Sequence, residues 1–333
     1  MLQDLFRRRR AAEPAAAPTD AQALLQRLEW TVIRRLDGLL QGDHRTLMRG
    51  AGLDLADLRE YRHHDDVRHM DWNVTARLQL PHVRVFTEDR EMAAWFLLDL
   101  STSVDFGSGQ RRKRELLQAF TAVLARLIGR HGNRIGAMLY GAGGDAAVGA
   151  VMPARGGRTQ VLQLLHRLCR TRPGATRGGN GPTRLADLLS AAALGIRQRS
   201  AVFVVSDFIS EPGWEVPLGE LARRHDVVAV RLLDPLEREL PDLGLIPIRD
   251  AETGEQVLVD THDPGFRRRF AALAARRETA LRDSLARAGV DTLELSTADD
   301  LVEAVLRFVA LRRRRPGGLR SPLSGPVAQG AAA

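Results

Sequence analysis

Lysine is all but missing from this chain. Lys113 is the only one among 49 basic residues, so the net charge of +8 and the pI of about 10.9 rest on arginine. So basic a balance raises nucleic acid as a partner, but the near-total preference for arginine reads as a codon bias of the genome and not as a selected binding surface. Net charge bears on non-specific association and not on fold, and no nucleic-acid partner is expected. Cysteine is equally scarce. Cys169 stands alone, which excludes an intrachain disulfide, and its place among Leu164, Leu165 and Leu168 suits a small buried residue better than a nucleophile. No apolar run reaches the roughly 18 residues of a membrane span, although the Arg-rich ends are compatible with peripheral contact. Arg7 to Arg10 have no apolar segment behind them, so no secretory signal is expected and the reading is cytoplasmic. The glycines at 141–144 and 178–181 lack the Gly-Lys-Ser/Thr of a phosphate loop, and Gly107-Ser108-Gly109 is not the Gly-x-Ser-x-Gly of a nucleophile elbow.

What is present is an ordinary globular composition, 44% apolar and 27% charged over 333 residues. Residues 1–19 and 314–333 read as disordered tails rich in Arg, Ala, Pro and Gly. Residues 20–90 read as a smaller N-terminal module. It opens on a helix from Asp20 to Leu40 and passes into a stretch rich in His, Asp and Arg, for which short elements or a docking role are expected. Residues 91–313 alternate strands with helices, which predicts a doubly wound, mostly parallel α/β sheet flanked by helices. Strands are expected at Val83–Phe86, Met92–Leu98, Ile135–Tyr140, Ala146–Met152, Ala201–Ser206, Val227–Leu232 and Thr292–Leu295, with a hairpin over Leu245–Val259 turning at Thr253-Gly254. Helices are expected at Arg111–Arg130, Thr159–Arg170, Arg184–Gln198, Glu215–Arg224, Pro264–Ala288 and Asp299–Arg313.

Within that frame the apolar run Trp95-Phe96-Leu97-Leu98 breaks into Asp99-Leu100-Ser101-Thr102-Ser103. A carboxylate ending a buried strand, followed by hydroxyls at alternate positions, is a set of hard oxygen ligands suited to Mg²⁺, Ca²⁺ or Mn²⁺. Asp207 ends a second buried strand. In a doubly wound sheet ligands collect outside the carboxyl ends, at the point where strand order reverses. If the two strands are neighbours there, both carboxylates face one crevice. The plainer alternative is that Asp99 and Ser101 only cap the turn that follows. The His63, His64, His69 and Asp65, Asp66, Asp71 group matches no transition-metal spacing and reads as a solvated loop.

Asp99-x-Ser101-x-Ser103 resembles the metal-ion-dependent adhesion site of von Willebrand factor A domains. There a second loop supplies a threonine ahead of a helix and a third an aspartate at a strand end, places taken here by Thr183 and Asp207. The stretch ahead of the site, Arg59-Glu60-Tyr61 … Asp65-Asp66-Val67-Arg68-His69-Met70-Asp71-Trp72-Asn73-Val74-Thr75-Ala76-Arg77, followed by Glu88-Asp89-Arg90-Glu91, closely resembles the domain-of-unknown-function 58 family. His64 and Met70 depart from the family's usual glycine and isoleucine. The resemblance implies a factor-A-like fold, a divalent cation (Mg²⁺ foremost) on Asp99, Ser101, Ser103, Thr183 and Asp207, and a MoxR-type AAA+ ATPase and its client as partners. The expected role is a non-enzymatic adaptor in metal insertion or complex maturation. Tyr61, Asp65, Asp66, Arg68, Asp71, Trp72 and Arg77 then serve either partner docking or internal packing of the N-terminal module. The alternatives are a Mg-dependent phosphohydrolase using Asp99 and Asp207, against which Ser101 stands where dehalogenase-type phosphatases need a second acid, and a nucleic-acid binder.

Overall fold

A computed structural model describes residues 20–28, 32, 33, 36, 57–61, 70, 72–85, 93–109, 111–142, 148–171, 182–249 and 256–314. Residues 1–19 and 315–333, Asp65–His69, Asp71 and the Thr253-Gly254 turn lie outside them. Helix α1 (Asp20–Leu28) buries Ala21, Leu25 and Leu28. A two-stranded ribbon follows, in which β1 (Asp57–Glu60) pairs antiparallel with β2 (His82–Val85) around the short helix α2 (Trp72–Leu78).

The centre of the molecule is a six-stranded sheet. Its elements in chain order are β3 (Ala93–Asp99), α3 (Lys113–Arg130), β4 (Arg134–Tyr140), β5 (Val148–Arg155), α4 (Arg158–Arg170), α5 (Leu185–Gly195), β6 (Ala201–Ser206), α6 (Glu215–Arg224) and β7 (Asp226–Leu233). A second ribbon, β8 (Leu245–Arg249) and β9 (Gln256–Asp260), precedes α7 (Pro264–Ala288), β10 (Asp291–Ser296) and α8 (Leu301–Arg314). The spatial order is β10-β7-β6-β3-β4-β5, parallel throughout except for β5 against β4. The architecture is mixed α/β with a mostly parallel central sheet between helices, as the alternation of elements predicts.

Strands covered on both faces must be apolar at every position. In β3 and β6 no residue is exposed. Phe96, Leu98, Phe203 and Val205 point to the layer of α1, α3, α4 and α8, and Trp95, Leu97, Val202 and Val204 to that of α5, α6 and α7. Phe96 and Phe203 stack across the two strands with ring centroids 5.4 Å apart. All six α3 positions expected to face inward (Leu116, Leu117, Phe120, Val123, Leu124 and Leu127) are buried. Strand β5 runs three residues past its expected end and through Pro153, because it is the sheet edge, where a missing N–H leaves no ladder bond unmade. Gln160 caps the irregular pairing there, its Nε2 donating to the carbonyls of Ile135 and Pro153 at 2.9 Å each. Cys169 is half-buried, less enclosed than its leucine neighbours suggest, and partial burial pushes its thiol up.

At the amino ends of β7 and β10 a buried guanidinium joins two partly buried carboxylates in an ion triad. Arg312 of α8 bonds Asp226, the first residue of β7, and through Nε at 2.7 Å Asp291, the first residue of β10. Breaking a buried pair from one side leaves uncompensated charge. Arg312→Met is therefore expected to lower the unfolding free energy by roughly 3–5 kcal/mol, measured by urea denaturation. A loss below about 1 kcal/mol would show that the triad is solvated.

Candidate functional site

The reversal of strand order lies between β3 and β6, which pair in parallel from Ala94↔Ala201 to Leu98↔Val205. Their carboxyl ends therefore open on one crevice, and Asp99 and Asp207 stand on either side of it. All five expected oxygen ligands are buried there: Asp99 at 0% exposure, Asp207 at 3%, Thr183 at 4%, Ser103 at 5% and Ser101 at 8%.

Asp99 is fully engaged. Its Oδ1 accepts the Ser101 N–H at 2.9 Å and its Oδ2 the Ser206 hydroxyl at 2.7 Å. Ser101 Oγ lies 3.0 Å from Ser103 Oγ. The plainer reading holds for Asp99, whose Oδ1 accepts the Ser101 N–H at the start of the turn, and not for Ser101, whose side chain does not cap the turn Thr102–Asp105. Ser206 Oγ also accepts the Phe208 N–H at 2.9 Å, and Phe208 holds a left-handed backbone (φ 59°). Such strain in a non-glycine residue persists only where its surroundings impose it. The threonine loop is knitted to the third loop, since the Thr183 carbonyl accepts both the Ser210 hydroxyl and the Glu211 N–H at 2.9 Å. Tyr140 binds the other side, its hydroxyl accepting the Arg184 N–H at 2.8 Å and its carbonyl the Leu100 N–H at 3.0 Å. Gly141 (φ 71°) makes that approach possible, because a Cβ there would lie 3.0 Å from the Leu100 carbonyl oxygen.

Asp207 has a partner that sequence reasoning missed. Lys113, the first residue of α3 and fully enclosed, places Nζ 2.7 Å from Asp207 Oδ2 and 2.6 Å from Glu237 Oε1. Burial works against the ammonium charge, yet Asp207 and Glu237 hold its pKa above the ordinary value. The signal was in the sequence: a lone lysine among arginines marks a seat that arginine does not fill. Asp234, also missed, is enclosed at the end of β7 and accepts from Ser108 N–H and Oγ, Thr297 Oγ1 and Leu236 N–H. It ties the loops after β3 and β10 to β7.

Of the signature residues, Asp65, Asp66, Arg68 and Asp71 lie outside the described residues. Tyr61 is half-buried and its N–H donates to the Pro81 carbonyl, closing the β1–β2 ribbon. Trp72 is 69% exposed, and Arg77 is exposed too.

The family model described as "Protein of unknown function DUF58" matches residues 57–280. The chain belongs to that family. An uncharacterized protein of Mycobacterium tuberculosis (strain H37Rv) is 39% identical over 292 residues, 88% of this chain and 90% of that one. An uncharacterized protein of Mycobacterium avium is 37% identical over 163 residues, 49% of this chain and 94% of that one. Among solved structures, the conserved hypothetical protein BatB of Bacteroides thetaiotaomicron aligns with 67% of this chain and 99% of its own at 13% identity and a TM-score of 0.41. An aerotolerance-related membrane protein of Bacteroides fragilis aligns with 66% and 99% at 14% and 0.41. Likenesses so loose carry no argument about the site. No helix among the described residues is long and apolar enough to cross a membrane.

Burial, and then the negative charge of Asp207, push the Asp99 carboxyl up from 3.8 to about 6. Native Asp99 thus keeps its proton where the unfolded chain has already lost it. Its contribution to stability is greatest below pH 3.8 and is lost as pH rises through about 6. In chelator-treated protein, the stability difference between wild type and Asp99→Asn should therefore move against wild type by roughly 1–3 kcal/mol between pH 4 and 7. Urea midpoints across that range measure it, and parallel curves would contradict the burial assigned to Asp99. Gly141→Ala, forced into a left-handed backbone against Leu100, should lower stability by about 1–3 kcal/mol in the same assay.

Proposed function

We propose that this chain is a non-enzymatic, metal-dependent protein-binding adaptor with a von Willebrand factor A-like sheet. The observation that carries the reading is that Asp99 and Asp207, both buried, end neighbouring strands at one crevice, with the Ser101 and Ser103 hydroxyls 3.0 Å apart in the loop after Asp99 and the Thr183 loop tied to the loop after Asp207. Burial first, and the negative charge of Asp207 second, disfavour the ionised form of Asp99 and raise its carboxyl. A divalent cation would favour that form.

The donor set suits a hard ion. The donor set proposed here is two carboxylates and hydroxyls, with no His or Cys. Mg²⁺ dehydrates reluctantly and is commonly held by one or two carboxylates, keeping waters. Asp99, Ser101, Ser103, Thr183 and Asp207 would hold it. When bound, the ion supplies an open coordination position for an acidic side chain of a partner. Asp99 and Asp207 contribute the charge, Ser206 and the Ser101 N–H orient Asp99, and the Thr183–Ser210 contact keeps the second and third loops in register. A MoxR-type AAA+ ATPase, with a client undergoing metal insertion or maturation, is the partner that the family resemblance implies.

A phosphohydrolase finds less support. Asp99 is fully enclosed with both oxygens hydrogen-bonded, which is a poor posture for a nucleophile, and Ser101 occupies the place of the second acid.

Mn²⁺ titration followed by electron paramagnetic resonance tests the metal, and capture of the purified ATPase with and without EDTA tests the partner. Asp99→Asn and Thr183→Ala should each weaken Mn²⁺ binding at least about tenfold (about 1.4 kcal/mol) and reduce ATPase capture in step, with circular dichroism unchanged. Equal ATPase capture with and without EDTA would overturn the reading.

A further inference from the structure

We infer that Lys113 is the resident counter-ion of this site, a positioning residue whose ammonium competes with a divalent cation for Asp207 and is drawn off by Glu237. The inference rests on the metal reading above and adds what sets the affinity.

Three features of the geometry carry it. First, the ammonium is shared: it lies 2.7 Å from Asp207 Oδ2 and 2.6 Å from Glu237 Oε1, with the Phe106 ring 5.8 Å away. Second, the seat is closed. Lys113 is fully buried, its amide N–H donates to the Phe106 carbonyl at 2.9 Å, and it begins α3 behind the metal loop. Third, both Asp207 oxygens are already engaged, Oδ1 by the Ile209 N–H at 3.0 Å and Oδ2 by Lys113. Any ion drawn to Asp207 therefore meets a positive charge on the same carboxylate. Repulsion between like charges at such range is substantial inside a protein, so the ammonium lowers metal affinity while keeping the metal-free crevice neutral enough to stay folded.

Glu237 pulls in the opposite sense. It lies on the short turn Pro235–Glu237 after β7, and its Oε2 accepts the Asp234 N–H at 3.2 Å. With Glu237 charged, part of the ammonium's field is turned away from Asp207. With Glu237 neutralised, Lys113 pairs with Asp207 alone. The two substitutions should therefore shift metal affinity in opposite directions, which a merely structural role would not do.

The experiment is Mn²⁺ binding to the full chain at neutral pH, measured by electron paramagnetic resonance and calorimetry. Wild type is compared with Lys113→Met, Glu237→Gln and Asp99→Asn, each checked by circular dichroism. Lys113→Met should bind Mn²⁺ about tenfold more tightly, and Glu237→Gln roughly three- to tenfold more weakly. Unchanged affinity in a folded Lys113→Met protein would overturn the inference. If Lys113→Met does not fold, unchanged or tighter binding by Glu237→Gln overturns it instead. Uptake by wild type that Asp99→Asn abolishes keeps the metal reading whatever Lys113 does. Uptake by Lys113→Met but not by wild type would uphold the competition and show the ammonium winning it. No uptake by any folded protein would overturn both.

Discussion

Two carboxylates buried at the point where the strand order reverses are the constraint to which the surrounding loops answer. Asp99 and Asp207 arrive there because β3 and β6 are neighbours whose chains leave in opposite directions across the sheet. Neither burial nor mutual repulsion favours their ionised forms. The molecule meets that cost with donors: a hydroxyl and an amide on Asp99, an amide and an ammonium on Asp207. The donors come from the loop after β3, from the end of β6 and the loop after it, and from the start of α3, so satisfying the two charges also ties those segments together. Asp234 repeats the device one strand further out, gathering Ser108 and Thr297 onto the end of β7. The carboxyl edge of the sheet is thereby organised by acids, as its amino edge is by Arg312 between Asp226 and Asp291.

Much of this was legible from residues alone, and the reason is local. Doubly covered strands need unbroken apolar runs, so β3 and β6 announced themselves, and a carboxylate ending each run was visible as an anomaly. Pro264 after Asp263 and Gly289 after Ala288 marked both ends of α7, where Asp263 accepts from the Gly265 and Phe266 amides and Gly289 adopts φ 71°. Strand β5 runs past its expected end at Met152 and through Pro153, which an edge strand tolerates. That β3 and β6 lie side by side was an inference from fold class, since periodicity carries no information about which strands pair.

Lys113 was the larger omission, and its cause is distance along the chain. It lies 94 residues from Asp207 and 124 from Glu237, so no window of sequence holds the three together. Its rarity was noticed but attributed to codon usage. The geometry reverses the weight of that observation. The only lysine stands at a fully enclosed position between two acids, which suits a compact head. The seat between Asp207 and Glu237 is closed and shared. An ammonium offers rotatable donors at a single point, whereas a guanidinium is a wide, planar fork matched to one carboxylate edge.

That choice also bears on how the crevice can work. A guanidinium locked bidentate on Asp207 would be a fixed partner, and a cation arriving at that carboxylate would have to break a directed pair. The ammonium sits between two acids at once, 2.7 Å from one and 2.6 Å from the other, so weakening one contact leaves it paired through the other. On the proposed competition, whatever draws Lys113 toward Glu237 would free Asp207 for a metal, and by linkage the converse would hold to the same degree. Glu237 stands on the turn that leads from β7 toward the exposed β8–β9 ribbon, where Leu245, Val257 and Leu258 are open to solvent. On that reading the charge at the crevice and the turn that carries Glu237 would share a single side chain, Lys113.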